Sequence, residues 1–143
     1  MIRALSALGF GALGAGLFAL ALQLFPGLAL ALQETALPAL AGTFVAAALV
    51  WYLGFGKAPA PSPGRGAALG ALAAVLANPL AILFISVSAE DRGSAPLDAT
   101  GILVLATVGA VETSPVSLPV AILTGAFYAL LLGLLVRDRV SRP

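Results

Sequence analysis

Apolar residues in this chain follow neither the two-residue period of a half-buried strand nor the one-sided 3.6-residue period of a surface helix. They run in long uncharged stretches set apart by short charged or proline-rich clusters. A helix that is apolar all round must be buried in protein or in lipid, and crossing the hydrocarbon core takes roughly 17–25 such residues. Four stretches reach that length, at residues 4–25, 38–55, 66–89 and 118–136. Pro26-Gly27 closes the first, and Pro38 and Pro119 stand where the second and fourth would begin, since proline is tolerated in a first helical turn. The connector KAPAPSPGR at 57–65 cannot continue a helix and separates the stretches into two pairs. The expectation is an all-α integral membrane protein, a single transmembrane domain over 1–143 with four transmembrane helices as two hairpins.

Two stretches complicate that reading. ATGILVLATVGAV at 99–111 is apolar all round apart from Thr107, yet about 13 residues is short for a span. It lies in a long connection, 90–117, and lacks the polar face of an interfacial helix, so it is expected to be a re-entrant or buried segment before the last helix. A fifth span would carry Arg137, Arg139 and Arg142 to the outer side, against the retention of bases on the cytoplasmic side of short loops. Residues 1–22 also resemble a signal peptide, with Arg3 ahead of an apolar run. The uncharged run 4–33 is about twice the 7–15 residues of such a core, so an uncleaved first span is expected.

Composition agrees with lipid as the solvent: 61% of the 143 residues are hydrophobic, 9% are charged, and mean hydropathy is +1.10, whereas globular chains are about 25% charged. Four spans place Arg3, Lys57, Arg65, Arg137, Arg139 and Arg142 on one side with Asp138, and Glu34, Glu90, Asp91, Asp98 and Glu112 on the other with Arg92. Both termini are therefore expected to be cytoplasmic, in a bacterial-type inner membrane. A net charge of +1 without a basic, aromatic-interleaved cluster excludes nucleic acid as a partner. The absence of Cys and His excludes disulfides, thiol chemistry and imidazole bases, and with them most zinc and haem ligand sets. No metal or cofactor is expected.

General acid–base catalysis needs a positioned titratable pair, and the four stretches hold only Tyr52 and Tyr128, so the chain is not expected to be an enzyme. The candidate solute-binding residues are Asn78, Glu112, Thr124 and Tyr128. Asn78-Pro79 combines an amide that needs a partner in hydrocarbon with a proline that frees a carbonyl one turn earlier; the plainer reading is a kink with one interhelical hydrogen bond. Glu112 would bind a cation or proton if drawn into the membrane, against the ordinary alternative of a solvated acid at the edge of a span. Thr124, Thr107, Ser86 and Ser88 offer oxygens, although such hydroxyls usually bond their own preceding turn. Trp51 and Tyr52 read as headgroup anchors, and Tyr128 sits deeper, where its hydroxyl needs a partner. Glu90, Asp91 and Asp98 form an acidic loop without regular calcium-ligand spacing.

Small residues recur every four positions: Ala7, Gly11 and Ala15; Gly66, Gly70 and Ala74; Gly125, Ala129 and Gly133. Such ridges let helix backbones approach closely in lipid, which marks Gly11, Gly66, Gly70, Gly125 and Gly133 as helix-packing positions. Pro38 and Thr43 match Pro119 and Thr124 in spacing, a faint sign of a two-hairpin repeat in parallel orientation. The reading these features favour is a non-catalytic accessory or structural subunit, in contact with the lipid bilayer and packing against other transmembrane proteins or itself. The alternative is a small homo-oligomeric transporter or channel for an ion or small solute.

Overall fold

The computed structural model describes residues 2–32, 34–55, 61–90 and 97–140, without the side chains at 28, 31, 90 and 137–140. Residues 57–60 of the Pro-rich connector, Asp91, Arg92 and Arg142 lie outside the described residues, as do the side chains of Glu90, Arg137 and Arg139. The described residues form α1 (Ile2–Leu24), α2 (Pro26–Ala31), α3 (Ala36–Gly54), α4 (Pro63–Glu90) and α5 (Ala99–Val140). Four of these helices, all but α2, are long and apolar enough to cross a membrane.

The helix starts follow local chemistry. Pro63 occupies the first position of α4, where its missing N–H is no loss, and Ser62 caps the turn by accepting from the Arg65 amide at 3.3 Å. The helix thus begins three residues before the expected 66. Asp98 caps α5 in the same way: its Oδ1 accepts from the Gly101 amide at 2.7 Å, and its carbonyl accepts from the Ile102 amide at 3.0 Å. Ser86 Oγ accepts from the Leu97 amide at 2.8 Å, tying this start to the end of α4.

Beyond Asp98 the structure departs from expectation. Residues 99–111 are not a separate re-entrant or buried segment; mostly exposed apart from the buried Ala106, they are the first part of a single 42-residue helix that runs on through the expected last stretch. Leu103 is 68% exposed and Val111 69% exposed. Pro115 and Pro119 lie inside this helix, so Pro119 does not mark a span's beginning. Pro115 cannot donate to the Val111 carbonyl, but Ser114 Oγ does so at 3.3 Å, and this substitute donor satisfies the backbone group the proline would orphan.

Consecutive long helices run antiparallel. Arg3 on α1 lies against Tyr52 near the end of α3; Gly54 on α3 lies against Leu69 on α4; and Gly66 and Gly70 on α4 lie against Gly125 and Ala121 on α5. α3 is packed between α1 and α4, and α4 between α3 and α5. α1 meets α5 at Tyr128. The core lies where these ends converge: Ala7, Phe10, Val50, Trp51, Phe55, Leu69, Ala73 and Ala129 form one buried cluster.

Candidate functional site

Depth within the bundle can be read from the antiparallel register. Gly42 on α3 faces Ala81 and Leu80 on α4, and Gly54 faces Leu69, so Val45, the middle of α3, is level with Asn78. Asn78 is also near the middle of α4. Its side-chain amide Nδ2 donates to Thr113 Oγ1 across the α4–α5 contact at 3.4 Å, and Thr113 Oγ1 donates to the Gly109 carbonyl at 2.7 Å. Gly109 lies beside this amide; a Cβ there would stand 3.4 Å from Asn78 Oδ1, an ordinary van der Waals contact.

Glu112 is thus level with the middles of α3 and α4, within one residue of the Asn78–Thr113 bond. This level follows from α5 being continuous, with Gly109, Thr113, Ala121 and Gly125 setting its register against α4. The Glu112 side chain is exposed, and no hydrogen bond or ion pair from the described residues reaches it.

Three prolines fall near this level. Pro79 removes the donor to the Val75 carbonyl, and Val75, Asn78, Ser114 and Ser117 all line a cavity of about 20 Å³ between α4 and α5. That volume holds one water molecule and nothing larger. A second, wholly apolar groove of about 370 Å³ runs outside the bundle between α1 and α3, lined by Leu8, Phe44, Leu49 and Tyr52 among others.

The four candidate solute-binding residues do not come together. Asn78 and Glu112 share the mid-depth level, whereas Thr124 and Tyr128 lie further along α5; the fifteen residues from Thr113 to Tyr128 are about 22 Å of helix. Tyr128 is bound to the first helix, its hydroxyl donating to the Ser6 carbonyl at 2.8 Å, while Ser6 Oγ donates to the Arg3 carbonyl at 3.0 Å. Its ring joins an aromatic group, tilted against Phe10 with centroids 5.4 Å apart and edge-on to Trp51 at 5.0 Å. Trp51 is fully buried in that group, 4.3 Å from Phe10, and is not a headgroup anchor. Tyr52 keeps an exposed position, with the Arg3 guanidinium 4.2 Å above its ring and Arg3 Nε donating to its carbonyl at 2.6 Å. Ser86, Ser62 and Asp98 serve as backbone acceptors rather than as parts of a site, and the Ser-Pro and Asp-x-x-Gly patterns at 62 and 98 were the sequence signals for those helix starts.

Of the helix-packing glycines, Gly66, Gly70 and Gly125 lie at direct backbone contacts between α4 and α5, and Gly11 lies against Phe44 and Ala48 of α3. Gly133 faces open space and packs against nothing described. Gly9 and Gly42 were not singled out by spacing, yet a Cβ on Gly9 would overlap the Tyr128 hydroxyl and one on Gly42 would overlap the α4 backbone.

Among the described residues no group of three or more His, Cys, Asp or Glu is placed to hold a metal ion. The chain matches no family model, no curated protein and no solved structure.

Proposed function

We propose that this protein is a non-catalytic integral membrane subunit that packs its helices against other transmembrane proteins and so stabilises or regulates a complex. The observation that carries this reading is how the bundle uses its polar groups. Ser6, Thr43, Thr107, Thr113 and Ser114 each bond a carbonyl three or four residues earlier, and Tyr128 bonds the backbone of α1. The hydroxyls thus serve helix geometry and packing, the use expected of a scaffold. The apolar surface points the same way: only 11% of the most apolar window of α5 is buried within the chain. In this reading both termini are cytoplasmic in a bacterial-type inner membrane, because Arg3 and Arg65 lie at the end of the bundle toward which Arg137 and Arg139 extend.

The test is native mass spectrometry of the particle extracted from its own membrane in mild detergent. Other chains at fixed stoichiometry are expected; a pure monomer or homo-oligomer overturns the assignment.

A second reading, a small homo-oligomeric channel or transporter, is favoured by one observation: Asn78, Thr113, Ser114 and Glu112 gather polar atoms at mid-depth beside three intrahelical prolines. Irregular backbone at that depth is tolerated where it lines a cavity. Flux in proteoliposomes that is lost in Asn78→Ala or Glu112→Gln supports it, and flux unchanged by both removes these residues from any pathway.

A further inference from the structure

The outward face of α5 carries a stripe at Leu105, Val108, Glu112, Val116, Leu123 and Leu130, spaced by three, four, four, seven and seven residues. That spacing keeps all six on one side of a helix, and all are exposed. Lipid can cover every member except Glu112. A carboxylate at the bilayer centre is unfavourable unless paired, and hydrocarbon extends about 15 Å to either side of mid-depth, beyond the reach of a glutamate side chain to the headgroups.

We infer that this stripe is the docking face for a partner transmembrane helix that carries a single Lys or Arg at its own mid-depth, paired with Glu112. This deepens the accessory-subunit reading and rests on it. Charge complementarity selects the occupant. A second copy of this chain cannot supply the base, because its Lys and Arg residues are confined to positions 3, 57, 65, 92, 137, 139 and 142. Of those described, Arg3 lies level with Tyr52, seven residues along α3 from Val45 and so about 10 Å from that level, and its guanidinium is already engaged by the ring and carbonyl of Tyr52; Arg65 is thirteen residues of α4, about 20 Å, from Asn78. A partner base at mid-depth also needs an acid, so the pair sets both which helices meet and their vertical register, while the flanking Val108 and Val116 supply apolar contact.

The test uses the full chain, labelled at its C-terminus, in phosphatidylcholine vesicles with three synthetic polyleucine helices: one without charge, one with a central Arg, and one with Arg a single turn from its end. Binding is read by energy transfer. The central-Arg helix is expected to bind at least tenfold more tightly than the other two, with the preference lost in Glu112→Gln and kept in Glu112→Asp. Equal binding of all three helices, or a preference that survives Glu112→Gln, overturns the inference. Self-association of the chain without peptide that falls on Glu112→Gln assigns the face to a second copy and overturns it as well. The native mass measurement is independent of these outcomes: fixed-stoichiometry partners together with failed discrimination remove this inference and leave the accessory role standing, whereas a particle without partners removes that role.

Discussion

The Tyr128 hydroxyl donates a 2.8 Å hydrogen bond to the Ser6 carbonyl and so fastens the last long helix to the first. The bond is compatible with an intact α1, because Ser6 is in the second turn and its carbonyl accepts from a side chain outside the helix as well as from within it. Tyr128→Phe keeps the ring against Phe10 and Trp51 and loses only this bond, which predicts a cost of about 1 kcal/mol. Tyr128→Ala also empties the aromatic group and is expected to cost roughly 3–5 kcal/mol. Reversible unfolding in mixed detergent micelles measures both, and equal costs would show that the ring contributes nothing.

The Trp51 indole behaves differently because its Nε1–H is buried without a hydrogen-bond partner among the described residues. Removing that donor should be nearly free if ring volume is kept. Trp51→Phe is expected to cost under about 1.5 kcal/mol, and Trp51→Ala roughly 3–5 kcal/mol, by the same unfolding measurement. A Phe variant as damaged as the Ala variant would mean that the indole nitrogen is bonded in the membrane.

Gly66 and Gly125 lie where the α4 and α5 backbones meet, each occupying the space a Cβ on the other would need. Leucine at either position forces the helices apart and is expected to destabilise by about 1–3 kcal/mol or more. Gly133→Leu, on the same ridge but facing open space, should change stability by less than about 0.5 kcal/mol. Similar losses at all three positions would argue against the observed register of α4 on α5.

The all-helical class and three of the four long helices were legible in the uncharged stretches, whose length and apolarity are what crossing lipid requires. The fourth was not. Proline read as a boundary at 119 because in water it usually is one, but Ser114 supplies the donor that Pro115 withholds from Val111, and the helix continues. The differences along α5 descend from that one: 99–111 joins the helix, Glu112 falls level with the middle of α4, and Tyr128 falls level with the first turns of α1. The packing of Gly66 and Gly70 was readable from four-residue spacing, whereas Gly9 and Gly42 answer to partners on other helices that no local pattern encodes.

The bond from Asn78 to Thr113 fixes the depth of Glu112, and that depth can be tested without assuming any function. Interhelical side-chain bonds in lipid average about 0.6 kcal/mol, so a double-mutant cycle of Asn78→Leu with Thr113→Val should give a coupling of about that size. The chain has no cysteine, so single-cysteine variants report cleanly on access. Thr100→Cys, in the exposed first turn of α5, is expected to react with a membrane-impermeant maleimide offered to the side of the membrane that holds the start of α5, and Glu112→Cys to remain unlabelled from either side. Rapid labelling at 112 would return that residue to the water interface and break α5 near Pro115. It would also leave the Asn78 amide without the partner that the bundle gives it, so the coupling and the labelling must stand or fall together.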